Sequence, residues 1–240
     1  MTANITLYFL QTSRAIRTAW LLEELGVPYN IEFSSRVNMK APPEFIERSG
    51  NPLGRFPSIK DGDLCLYESG AIAEYLCEKY DTTHRLYPAQ QPLRSRAQIW
   101  LHAAEATFLL HSMAIFYARG NFPPALKETN PDALAQMVKG MSVNVQRDLD
   151  WLEAELAKSS GPFILGAQVT IADTMMEFSI DMIMLYRLGI DGGGPWPRIE
   201  AWLQACHASD TYKRAVEKTG YSPSFSTPAP PSDGKHASML

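Results

Sequence analysis

Residues 51–70, NPLGRFPSIKDGDLCLYESG, restrict the fold of this chain more than any other stretch. Proline has no amide hydrogen, so Pro57 can open a strand but cannot sit inside a ladder. Residues 56–60 therefore read as a short strand, Asp61-Gly62 as a two-residue hairpin turn, and residues 64–67 as the return strand. Glu68-Ser69 then opens a helix that runs to Tyr80, with Ile72, Tyr75 and Leu76 on one face. A main-chain edge freed by the proline lies near a carboxylate and a helix N-terminus, which suits a peptide-like ligand.

The flanking segments fix the topology around this unit. Residues 5–10 are strongly apolar without clean alternation, as in a strand buried on both faces of a mixed sheet. Ile16, Trp20, Leu21, Leu22 and Leu25 recur at helical spacing until Gly26 and Pro28 stop the helix. Residues 29–34 form a second strand, parallel to the first across a right-handed crossover, and residues 42–48 a short helix with proline in its first turn. The order is β-α-β-α-β-β-α, which resembles the thioredoxin-like arrangement.

Residues 81–93 carry two prolines and no periodicity. We read residues 1–85 as the α/β domain, 86–93 as a linker, 94–220 as an all-α domain, and 221–240 as a flexible Pro- and Ser-rich tail. A length of 240 residues accommodates two modest domains. The net charge of −4 gives no footprint for nucleic acid or an acidic membrane. No signal peptide is expected, nor an apolar run of about 18 residues that would span a membrane. Cys65, Cys77 and Cys206 lack CxxC or metal-ligand spacing, so a disulfide framework or a zinc site is disfavoured. A reducing, cytoplasmic location fits, and the C-terminal Ser-Met-Leu is a faint echo of a peroxisomal address.

NPLGRFP and ESGAIAEYL, with SRAIRTAWLLEELG and KAPPEF, resemble the cytosolic glutathione transferase family over roughly residues 5–218. Within it, they are similar to the fungal and bacterial members near a yeast enzyme of the endoplasmic reticulum. The resemblance implies a cis Pro57 that turns the backbone of Phe56 toward the cysteinyl part of glutathione. From the residues alone, Pro57 reads as an ordinary trans proline. The resemblance also implies that Ser69 holds the γ-glutamyl carboxylate while Glu68 accepts from the ammonium group. Without it, this pair is a plain helix cap. Arg55 and Lys40 fall where the family places groups near the glycyl carboxylate and the γ-glutamyl backbone; the alternative for each is a solvated surface charge. Thr170-Ile171-Ala172-Asp173 has the form of a capping box with aspartate as its acid, a folding motif of the family's second domain.

The thiol-activating group is less defined. Glutathione attacks as the thiolate, which a hydroxyl and helix N-terminal N–H groups stabilise. Leu10 stands where serine-type relatives carry their working serine. Ser13 is the leading hydroxyl, with Tyr8 and Thr12 as alternatives; Ser13 also reads as a simple cap of the first helix. The resemblance places a second substrate, a hydrophobic electrophile or peroxide, against the helix beginning near Arg94. There Phe108, His111, Ser112, Ile115 and Phe116 form a stripe that is otherwise a buried helix face. His111 is a core histidine or a substrate contact, not a base, and the run Met175, Met176, Met182, Met184 reads as adaptable core. The resemblance further implies a homodimer and chemistry that needs no metal. Two rivals remain: a noncatalytic glutathione-binding protein, permitted by Leu10, and a thiol-disulfide oxidoreductase, disfavoured because no cysteine lies near Thr12.

Overall fold

A computed structural model describes residues 4–225. Strands β1 (Ile5–Leu10), β2 (Tyr29–Ser34), β3 (Ser58–Asp61) and β4 (Leu64–Tyr67) form one sheet in the order β2-β1-β3-β4. β1 runs parallel to β2, with Ile5 opposite Tyr29, and antiparallel to β3, with Tyr8 opposite Ser58. Helix α1 (Ala15–Leu25) makes the crossover, α2 (Pro43–Ser49) leads into the 51–55 loop, and α3 (Ser69–Tyr80) follows β4. The ladder starts at Ser58, just after the proline. The hairpin loop is Gly62-Asp63, one residue later than the sequence suggests, because Asp61 stays paired with Leu64. Tyr75, Tyr80 and Lys79 of α3 all donate to the Asp61 carboxylate, which anchors it in the strand.

Alternation along β1 sends Ile5, Leu7 and Phe9 into the main core and Tyr8 and Leu10 to the other face, against Phe45 and Phe56. The main core continues from Trp20 on α1 into the helical half. That half comprises α4 (Leu93–Ala103), a π-helical segment (Ala104–Leu109), α5 (Leu110–Asn121), α6 (Pro124–Thr129), α7 (Ala133–Leu156), α8 (Ile171–Leu185), α9 (Pro197–Ala208) and α10 (Asp210–Thr219). Trp100 stacks on Trp151 at 4.5 Å, and Met175, Met176 and Met182 are buried core residues of α8. The continuous helix Leu93–Asn121 is long and apolar enough, by length and composition, to cross a membrane. Trp100, Leu101, Phe108 and Leu109 of this helix are buried in the core, whereas Leu93, Ile99, Leu110 and Tyr117 are exposed.

Two connections differ from the sequence expectation. The segment after α3 is tied down: Asp81 accepts the amides of Arg85, Leu86 and Tyr87, and the Leu86 carbonyl accepts from the Ile171 amide. The chain beyond α10 is not loose at its start either. Tyr221 is buried, the Thr12 hydroxyl donates to the Ser222 carbonyl, the Tyr186 hydroxyl donates to the Pro223 carbonyl, and Phe225 packs on Phe116 and Tyr186. Aromatic anchors at positions 221 and 225 outweigh the polar composition around them. The remainder of the expected tail, residues 226–240, lies outside the described residues.

Candidate functional site

The start of α3, the entry to β3 and the loop before it converge on a cavity of about 720 Å³. The 51–55 loop is shaped by Asn51, whose carboxamide accepts the Leu53 amide at 2.9 Å and donates to the Arg55 carbonyl. Gly54 lies there at φ +61°, a left-handed backbone that favours glycine, and a Cβ would stand 2.7 Å from Ile46 Cδ1, so that side chain would have to move aside. The Phe56–Pro57 bond is cis, as the family resemblance implies. The Phe56 ring packs on Phe45 at 4.8 Å, so its main chain is the only polar group it presents. Glu68 precedes α3 at φ +74° and ψ +113°, an uncommon backbone for a residue with a side chain and a mark of functional sites. Ser69 follows as the first helical residue, with the free N–H groups of the α3 N-terminus behind it.

Lys40, Arg55, Phe56, Pro57, Glu68 and Ser69 all line this one cavity. Three charged residues not singled out from the sequence join them: Arg14, Arg36 and Glu105. The wall therefore offers cations and carboxylates together, as a zwitterionic peptide with a second carboxylate requires. Arg36 holds the 11–12 loop in place by donating to the carbonyls of Gln11 and Thr12 at 2.9 and 3.3 Å.

Behind the wall lies Arg17, a fully buried guanidinium. It donates to the Ser69 hydroxyl at 3.1 Å, to the Ser179 hydroxyl at 2.7 Å and to the Glu105 carboxylate, and lies over the Phe178 ring at 5.3 Å. Arg14 pairs with the same Glu105 oxygen at 2.6 Å. One carboxylate thus positions two cations, one of which supports Ser69. Burial pushes the Glu105 carboxyl up, but the charges of Arg17 and Arg14 outweigh it and hold the group below its ordinary value. A depressed carboxyl contributes stability above its unfolded value, roughly 4.3, and loses it as the pH falls through the folded value. The thermal midpoint is therefore expected to hold down to about pH 5 and to drop below about pH 4, with a shallower acid drop in Glu105→Gln. Melting curves from neutral to acid pH check this.

The other candidates are placed elsewhere. Leu10 lines the cavity, whereas Tyr8, Thr12 and Ser13 are buried and are not among the residues that line it. Tyr8 belongs to the aromatic cluster with Phe45, and the Thr12 hydroxyl is engaged by the 222–224 segment. Ser13 Oγ accepts from the Ala15 amide at 3.3 Å, a local turn bond one residue ahead of the N-cap position, which is Arg14 and carries no side-chain cap; the Ser13 hydroxyl keeps its own hydrogen to donate. The stripe on the long helix serves packing rather than the cavity. Phe108, Ser112 and Ile115 are fully buried, the Ser112 hydroxyl donates to the Phe108 carbonyl, and His111 pairs with Asp148 of α7 at 2.6 Å. Phe116 sits against Tyr186 and Phe225, and its neighbour Tyr117 is the α5 residue on the cavity wall.

The π-helical segment explains the displacement. About eleven residues complete three α-helical turns, which would put residue 116 in phase with Glu105. The extra residue of a π turn moves that phase to Tyr117. Helical periodicity read straight through residues 104–109 misses the insertion. Arg17, at helical spacing within the apolar stripe of α1, is a signal the sequence did offer: a cation there demands buried partners.

Comparison with known proteins agrees with this geometry. The family described as Glutathione S-transferase, N-terminal domain, matches residues 3–78, and Glutathione S-transferase, C-terminal domain, matches residues 132–205. The chain is 30% identical over 203 residues to the Glutathione S-transferase-like protein OpS6 of Beauveria bassiana, covering 82% of this chain and 87% of that protein. It is 26% identical over 228 residues to Glutathione S-transferase 1 of Saccharomyces cerevisiae, covering 89% and 94%. A solved glutathione S-transferase from Actinobacillus pleuropneumoniae superposes with a TM-score of 0.74 at 27% identity, covering 94% of this chain and 97% of that one. Two matched domains, a thioredoxin-like half joined to a helical one, and a cavity built from their meeting place identify the chain as a member of the glutathione S-transferase family.

Proposed function

We propose that this transferase binds reduced glutathione in the 720 Å³ cavity and directs its thiolate at a hydrophobic electrophile, or at an organic peroxide, entering beside Tyr117. The observation that carries the reading is the convergence of Lys40, Arg55, Phe56, Pro57, Glu68 and Ser69 on one wall with Arg14 and Arg36. The γ-glutamyl carboxylate lies at Ser69 and the α3 N-terminus, its ammonium at Glu68, the cysteinyl amide at Phe56, and the glycyl carboxylate toward Arg55 and Lys40. The sulfur then points to the N-terminus of α1, between Leu10 and Arg14, where the Ser13 hydroxyl and the Arg14 charge stabilise S⁻. Attack on the electrophile forms the carbon–sulfur bond and expels the leaving group; a hydroperoxide is instead cleaved at its O–O bond, giving the alcohol and the sulfenic acid of glutathione, which a second glutathione converts to the disulfide and water. The protein works as a homodimer in the cytosol.

Calorimetry and thiolate absorbance test the reading. Ser69→Ala and Glu68→Gln are each expected to weaken glutathione binding about tenfold, the loss of one hydrogen bond to a charged group. Ser13→Ala is expected to leave binding nearly intact and to raise the bound thiol's pKa by about 1. An unchanged thiol pKa in Ser13→Ala with a raised one in Tyr8→Phe or Tyr117→Phe removes Ser13 from the role.

Leu10 on the cavity wall, with Tyr8, Thr12 and Ser13 off it, favours one second reading: a glutathione-binding protein without turnover. Tight glutathione binding with no activity toward an aromatic halide or an organic hydroperoxide selects it. Absence of glutathione binding overturns both readings. Chemistry through a protein thiol is poorly served, since burial pushes the Cys77 thiol up to about 12 and the Cys206 thiol well above its ordinary value.

A further inference from the structure

On the face of the helical domain formed by α8, α9 and α10, a second cluster of chemistry-bearing groups stands apart from the cavity. Glu177 and Asp181 lie one turn apart on α8, and His207 comes from the last turn of α9. One carboxylate oxygen of each acid and one ring nitrogen of the histidine all lie within 4.8 Å of one another. The Glu177 side chain is 1% exposed. Its Oε1 takes the Tyr212 hydroxyl and His207 Nε2, both at 2.8 Å, while its Oε2 is buried with no hydrogen-bond partner among the described residues. No lysine or arginine forms an ion pair with Glu177 or Asp181 among the described residues; Arg17, whose charge acts on Glu177, gives hydrogen bonds to Ser69, Glu105 and Ser179, and its buried Nε has no partner among the described residues.

A buried carboxylate oxygen without a donor is costly unless a cation meets it. We propose that Glu177, Asp181 and His207 form a binding site for a first-row divalent cation, with zinc the ion its ligand set suits best. Two carboxylate oxygens and one imidazole nitrogen give three protein ligands, leaving the fourth tetrahedral position to water. Bond lengths of about 2.0 to 2.2 Å place such ligand atoms roughly 3.3 Å apart, so the three close slightly around the ion. Asp181 and His207, at the half-buried edge, supply that movement and the entry path. On binding, His207 Nε2 releases to solvent the proton it gives to Glu177 and exchanges the Glu177 oxygen for the metal, so uptake of the ion releases a proton. The Tyr212 hydroxyl stays on Glu177 Oε1 as the outer support that orients a ligating carboxylate. None of the three residues lines the glutathione cavity, so the ion's effect is to pin α8 to α9 rather than to take part in transfer.

The test uses the untagged full chain, freed of metal by a chelator and kept without glutathione, whose thiol itself binds zinc. Zinc is titrated by calorimetry and cobalt by visible absorption. The expected result is one equivalent of each metal at micromolar affinity, a tetrahedral cobalt spectrum, and a melting temperature that rises with metal concentration. Asp181→Asn and His207→Gln, both at the accessible edge, are expected to weaken binding at least about tenfold with unchanged circular dichroism, and Cys65→Ser to leave it unchanged. No saturable binding below about 1 mM overturns the proposal. So does binding that survives both edge substitutions, or that disappears with Cys65→Ser.

Discussion

Replacing Arg17 by methionine is expected to weaken glutathione binding ten- to a hundredfold and to lower the melting temperature by about 6 to 12 °C, although Arg17 is not among the residues that line the cavity. Methionine fills much of the volume, so the loss is electrostatic. Ser69 and Ser179 each lose a charged donor, and Glu105 keeps only Arg14. Removing one partner of a buried ion pair costs about 3 to 5 kcal/mol. Glu105 opens onto the cavity and rehydrates, which favours the lower end, about 3 kcal/mol. Affinity falls for a separate reason: without the Arg17 donor the Ser69 hydroxyl rotates freely, and the cationic field behind the proposed carboxylate position at Ser69 is gone. Arg14→Met is the control. Arg14 is partly exposed, with a side-chain exposure of 34%, and its removal is expected to move the melting temperature by no more than about 2 °C. Calorimetric affinity and thermal melts on both variants decide the matter. An Arg17→Met protein with wild-type affinity shows that Ser69 needs no support.

Much of the cavity wall was legible because its parts are local. A proline that cannot join a ladder, a two-residue loop and an acid-hydroxyl pair at a helix start are each readable within a few residues, and together they place Phe56, Pro57, Glu68 and Ser69. The β3–β4 hairpin follows from the same short-range rules and the parallel β1–β2 pairing from a right-handed crossover, whereas the β1–β3 pairing joins segments about fifty residues apart. What escaped depends on distance or on broken periodicity. Arg17, Ser69, Glu105 and Ser179 meet from four separate segments, and only tertiary packing joins them. The π-helical insertion moves the cavity face of the long helix from Phe116 to Tyr117, and a stripe drawn at constant period cannot register it. The 221–225 segment escaped because its composition is that of a tail, while its fate is decided by Tyr221 and Phe225 finding aromatic partners.

Asp173 is a motif residue whose importance exceeds what its motif suggests, and Asp173→Ala is expected to cost more than about 4 kcal/mol and to leave little folded protein at physiological temperature. The capping box is present, with the Asp173 carboxylate accepting the Thr170 amide and hydroxyl, both at 2.9 Å. The same carboxylate also accepts the Ile164 amide and the Trp202 indole N–H, again at 2.9 Å. It therefore joins the start of α8, the 159–169 loop and α9, all in a fully buried setting. Alanine strands four donors, and each unsatisfied buried donor costs about 1 to 3 kcal/mol. Thr170→Ala removes one hydroxyl and is expected to cost only about 1 kcal/mol, so the comparison separates capping from this wider role. Burial, the largest influence, leaves the Asp173 carboxyl above its ordinary value despite those four hydrogen bonds. A raised value means the folded state holds its proton more tightly than the unfolded one, so this group opposes acid unfolding, whereas Glu105 promotes it. Denaturant titration gives the sizes of both losses. An Asp173→Ala protein within about 1 kcal/mol of wild type shows that the loop and α9 are held by their apolar contacts alone.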